Sequence, residues 1–113
     1  MPLSTTLRYD GDVVEYTPSS AVTAGTVVVQ GTLVGVALQD IAANALGALS
    51  VEGVFDFPKT AAGSGQAIAV GVAVYWDDTN DVATTTSSGN TLIGKVVLAA
   101  LTTDTTVRVR ISQ

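Results

Sequence analysis

Residues 89–97 read GNTLIGKVV, and the run from Gly89 to Lys95 spells Gly-x-x-x-x-Gly-Lys. That is a phosphate-binding loop without its last letter. The full motif cradles phosphates in backbone amides and holds Mg²⁺ through a Ser or Thr hydroxyl after the Lys. Val96 stands at that position here. The loop interior, Leu92-Ile93, is apolar. The motif also needs a strand before it and a helix after it, and no other segment supplies a second βα unit. The reading is therefore structural. Gly89-Asn90 makes a turn, and Gly94 is a bulge or a point of close approach in a strand. Lys95 is a cation that is solvated or paired with a carboxylate.

The acidic residues carry the next candidate chemistry. Asp77, Asp78 and Asp81 put three carboxylates within five residues, and oxygen ligands suit Ca²⁺. The spacing is not that of a calcium loop, and no bidentate Glu follows. Asp and Asn satisfy nearby backbone amides, so DDTND at 77–81 is expected to be a hairpin turn. Glu52, Asp56 and the Asp77/Asp78 pair are the plausible suppliers of a carboxylate pair for glycoside hydrolysis, and aromatic residues at 5% are too few for a sugar-stacking cleft. The chain has no His and no Cys. It therefore lacks the commonest general base and the commonest transition-metal ligand, and it has no thiolate chemistry. No catalytic residue, cofactor or metal is expected.

Those residues sit in one small domain. Its 113 residues support a single modest core. Hydrophobic residues make up 47% and charged residues 13%, against roughly 25% charged in an average domain. So few charges imply that part of the nominal surface is covered, in an oligomer or a larger assembly. The net charge is −5, from five cations and ten acids, and there is no basic footprint for nucleic acid. No apolar run reaches the roughly 18 residues of a membrane span. The N-terminus has no charged start followed by an apolar core, so synthesis in the cytoplasm without a signal peptide is expected.

Val and Thr dominate, and short apolar runs are separated by Gly, Asn, Asp and Ser. That is the pattern of an all-β protein. Strands are expected at 13–16, 26–30, 32–38, 48–57, 68–70, 72–76, 82–86, 92–101 and 107–111. Pro58 ends the fourth, Gly71 is a candidate bulge, and Gly94 breaks the long late strand. Residues 39–47 read as a loop with at most one helical turn, and 60–66 as a small-residue loop. TVRVRI at 106–111 alternates, with Val107, Val109 and Ile111 on one face and Arg108 and Arg110 on the other. The adjacent Tyr75 and Trp76 point to opposite faces of their strand, so one can be core while the other meets a partner. The expected fold is a single small antiparallel β-barrel or sandwich, jelly-roll-like or related, with little or no helix.

Five segments occur in a distinctive order: GTLVGVAL at 31–38, VEGVFDFPK at 51–59, GVAVYWDD at 71–78, NTLIGKV at 90–96 and TVRVRI at 106–111. In this order the sequence resembles the small capsid cement, or head decoration, proteins of tailed bacteriophages, over nearly the whole chain. The resemblance implies a structural virion protein on the outer surface of the mature head, clamping the major capsid protein against DNA pressure. It implies a homodimer or homotrimer, with no nucleic acid, membrane or small-molecule partner. Another phage structural β-module, a tail or fibre accessory or a carbohydrate-binding domain, is the alternative. Residues 1–113 then form one decoration domain, with residues 1–9 a flexible N-terminal arm that orders on the capsid by strand addition. Leu3, Leu7 and Tyr9 on the arm, with Trp76, are the expected partner contacts.

Overall fold

The computed structural model describes residues 11–59 and 67–113. They form nine strands and no helix. The strands are β1 (Val13–Tyr16), β2 (Val27–Gln30), β3 (Leu33–Ala37), β4 (Gly47–Ser50), β5 (Gly53–Pro58), β6 (Ala73–Asp77), β7 (Val82–Thr84), β8 (Thr91–Leu98) and β9 (Thr106–Ile111). They make two antiparallel sheets, one in the order β1-β4-β3-β2 and one in the order β5-β9-β8-β6-β7. The expected all-β class holds, and both sheets are open. The second rolls far enough for its edges to touch at one parallel bridge, Lys59 to Ala83, but it does not close into a barrel.

The main core lies between the sheets. The second sheet contributes Phe57, Val74, Trp76, Ile93, Val96, Val107, Val109 and Ile111, and β3 contributes Val34 and Val36. A second cluster of Ala37, Ile41 and Leu49 covers the other side of the first sheet, where Val22 and Ile41 bridge two loop segments. β3 is therefore apolar on both faces, which its LVGVA sequence permits. Each buried aliphatic or aromatic side chain is worth about 1.5–3 kcal/mol, so this packing, and not the exposed charges, fixes the fold.

Several expected boundaries move. The single strand expected at 48–57 is two strands in different sheets. The chain crosses between them at residues 51–53, where the Ser50 hydroxyl donates to the Glu52 carbonyl (2.7 Å). Gly53 takes φ +121°, a conformation that side chains disfavour. Pro58 is the last residue of β5, which is an edge strand, so its missing amide hydrogen costs no ladder bond. The strand expected at 68–70 reduces to one bridge, Ile68 to Ala100. Gly71 lies in a turn before β6 at φ +87° and is not a bulge within a strand. The irregularity expected at Gly94 is present: β8 shifts register between Gly94 and Leu92 against β6, and again between Val96 and Leu98 against β9.

The crossing leaves β4 short. It pairs with β3 only at Val36–Ser50 and Ala37–Leu49. Ala37 exchanges hydrogen bonds with Gly25 and Thr26 on the β2 side, so Val34 and Val36 turn theirs toward β4. Val34 is fully buried and lies past the end of β4. The Gln113 side chain fills the gap. Its Oε1 accepts from the Val34 amide (2.8 Å) and its Nε2 donates to the Val34 carbonyl. One side-chain amide thus stands in for a missing strand and ties the end of β9 to the first sheet.

Two substitutions check this account by chemical denaturation. Gln113→Ala should cost about 1–3 kcal/mol, because it strands a buried backbone donor and acceptor. In Gly94→Ala the new Cβ would collide with the Arg110 carbonyl oxygen and sit 2.8 Å from the Ser112 amide nitrogen. Backbone cannot move aside as a side chain tip can, so a loss of about 3 kcal/mol or more is expected. A Gly94→Ala protein as stable as the wild type would contradict the close approach of β8 to β9.

Candidate interaction surface

The geometry of β8 sets the outer face of the second sheet. At its first register shift Ile93 and Gly94 both turn inward and are buried. The alternation then resumes one step out of phase, as a bulge requires. Lys95 is exposed, Val96 is buried, and Val97 and Leu98 are both exposed after the second shift. Without the first bulge Lys95 would point into the core.

Register brings the outer residues together. Arg110 lies between Val54 of β5 and Lys95 of β8, and Arg108 lies between Asp56 and Leu98. Arg108 donates to both oxygens of Asp56, Nε to Oδ1 at 2.9 Å and Nη2 to Oδ2 at 3.4 Å, and this pairing raises the guanidinium's pKa. Such an exposed pair orients side chains more than it stabilises the fold. Val54 and Leu98 are 53% and 55% exposed. The face is thus an apolar surface studded with cations. Val70 and Leu101 are also exposed, and they flank the Ile68–Ala100 bridge at its margin.

The remaining candidate residues resolve into structural roles. Asp77 accepts from the Thr79 and Asn80 amides at 3.0 and 3.2 Å and from the Asn80 side chain at 2.8 Å. The Asn80 bonds, above all, lower its pKa. Asp78 accepts from the Trp76 indole N–H (3.2 Å), and Asp81 takes a left-handed φ of 55°. This is the hairpin turn the sequence indicated. Among the described residues no group of three or more acids, His or Cys could hold a metal ion. Lys95, from the phosphate-loop look-alike, lies on a strand and not at a helix N-terminus.

Trp76 is 4% exposed and its ring packs beside Phe57, with centroids 6.2 Å apart. It belongs to the core of this chain, and Tyr75 is the half-buried member of the pair. Leu3, Leu7 and Tyr9 lie outside the described residues. Among the described aromatics, Phe57 and Trp76 are buried and Tyr16, Phe55 and Tyr75 half-buried, so none stands fully exposed as a stacking platform. Lys59 is 5% exposed, and its Nζ donates to the Asp104 carbonyl (3.1 Å). Sequence alternation did place Arg108 and Arg110 outward. It could not join them to Lys95, Val54 and Leu98, because that grouping depends on cross-strand register and on two bulges.

A two-sheet β-module whose 77–81 acids serve a turn and whose second sheet exposes Val54, Val97 and Leu98 on its outer face is suited to surface contact. The phage cement protein family model matches residues 9–111, and the chain belongs to that family, with a structural, capsid-decorating role in the phage particle. No curated protein and no solved structure gives a significant match to the chain.

One acidic pair borders this face. Glu52, at the crossing between sheets, is hydrogen-bonded to Asp12. That bond and the Asp12 charge raise its pKa above the ordinary 4.5, and Arg110 only partly offsets them. The folded protein holds this proton more tightly than the unfolded chain does. The resulting stabilisation is present below 4.5 and lost as pH rises through the raised value. Near neutral pH the two carboxylates repel. Glu52→Gln should therefore raise the Tm near neutral pH and give no gain well below 4.5. A Tm difference independent of pH would contradict the pairing.

Proposed function

We propose that this chain binds the outer surface of the expanded phage head and clamps neighbouring copies of the major capsid protein against internal DNA pressure. The family match over residues 9–111 carries this reading. The fold supports it. A core locked by close strand approach suits a rigid staple, and an exposed apolar sheet face suits a module that works by burying surface. A standard interface buries roughly 1,600 Å², and an oligomer that engages several shell sites at once gains by avidity without new kinds of contact. The protein acts on the particle as a homodimer or homotrimer, and its partners are the shell protein and copies of itself. Residues 1–9 serve as an arm that pairs with the shell by strand addition, through Leu3, Leu7 and Tyr9.

The test is direct. Purified protein mixed with expanded, undecorated heads should occupy regular sites at saturation and bind unexpanded procapsids far more weakly. Absence of binding to expanded heads would refute the reading. Deleting residues 2–9 should lower occupancy while leaving the thermal transition unchanged, and unchanged occupancy would exclude the arm.

A further inference from the structure

We infer that the outer face of the second sheet, centred on Lys95 and Arg110, is the surface that docks on the shell, and that its counterpart there is an acidic protein surface with apolar contacts. This rests on the capsid-decorating reading above and adds which face is used and what chemistry it meets. The first observation is a like-charge pair. Lys95 and Arg110 are directly opposite in register on adjacent strands, both side chains exposed. Like charges placed directly opposite on a sheet are destabilising, and among the described residues neither makes an ion pair. Asp56 is on the same face, but it is engaged by Arg108. Glu52 at the margin is close enough to Arg110 to feel its charge, but among the described residues no ion pair joins them.

The second observation is segregation of charge. The chain has five cations and ten acids. Lys95, Arg108 and Arg110 share this one face, where Asp56 is the acid that pairs in register. Among the described residues an otherwise acidic protein thus shows one cationic surface, and Val54, Val97 and Leu98 supply its apolar area, at 53%, 41% and 55% exposed. A second copy is a poor occupant. A two-fold contact places the same patch on itself, which would set these cations against their own copies. The acidic hairpin of another copy is little better, since Asp77 and Asp78 already accept hydrogen bonds from Thr79, Asn80 and Trp76. An acidic surface of a different protein relieves the Lys95–Arg110 repulsion and covers the apolar residues in one step.

The pair makes a test in which stability and binding move oppositely. Lys95→Glu puts a carboxylate opposite Arg110, so the variant should fold with a Tm equal to or above that of the wild type. Its affinity for expanded heads should fall by about tenfold or more. A charge-matched control, Ser20→Glu with Gln30→Glu at exposed positions off this face, should bind as the wild type does. Wild-type occupancy should also fall as salt rises from ~50 to ~500 mM. If Lys95→Glu does not fold, the salt series decides alone, and salt-independent occupancy overturns the inference. Undiminished binding by a folded Lys95→Glu protein overturns it too, while wild-type binding leaves the cement reading intact. Equal loss in the control would assign the effect to net charge and overturn it. Binding of short duplex DNA that is lost in Lys95→Glu would reassign the face to nucleic acid. Failure of the wild type to bind heads removes the cement reading and this inference together.

Discussion

The close approach of β8 to β9 at Gly94 is the constraint on which the rest depends. Where a Cβ would collide with the Arg110 carbonyl, only glycine lets the two backbones pack, and the adjacent bulge turns both Ile93 and Gly94 inward. The consequence runs to both faces of the sheet. Inside, Ile93 fills the core between Val74 and Ile111. Outside, the phase of β8 is reset so that Lys95 emerges beside Arg110, with Val97 and Leu98 further along. A single small residue thus settles what is buried and what is presented.

The same economy appears where the chain changes sheets. β4 and β5 are contiguous in sequence yet belong to different sheets, and the gap left on β3 is closed by the Gln113 side chain. The two sheets are consequently joined at three kinds of contact: the apolar core, the covalent crossing at 51–53, and the amide clamp on Val34. Such cross-ties add direction to the packing, since apolar contact alone is non-directional while the hydrogen-bonded clamp fixes the relative position of the sheets.

Much of this was legible in the sequence, and the failures have physical causes. Strand content followed from β-branched residues and short periods, and the 77–81 turn followed from Asp and Asn chemistry. Val96 excludes the phosphate loop, and a glycine amid β-branched residues at position 94 points to a bulge or a close approach. The run from Ala48 to Phe57 misled because β propensity is equally satisfied by one strand or two, and only the backbone of Gly53 separates them. The burial of Lys59 has no local signal, because it depends on a carbonyl at Asp104, 45 residues away. The outer face of the second sheet was visible only as fragments. Arg108 and Arg110 showed their alternation, but Lys95 sits after a bulge that inverts the phase of its strand, and Gly94 alone does not say whether it marks a bulge or only a close approach.

The inferred contact between this cationic, apolar face and the shell can be seen on the particle itself. A density map of expanded heads decorated with this protein tests it most directly. The account requires the outer face of β5, β9 and β8 to lie against the shell, with Lys95 and Arg110 beside carboxylates of the capsid protein. A map in which that face looks outward to solvent, with the first sheet seated on the shell, would contradict it.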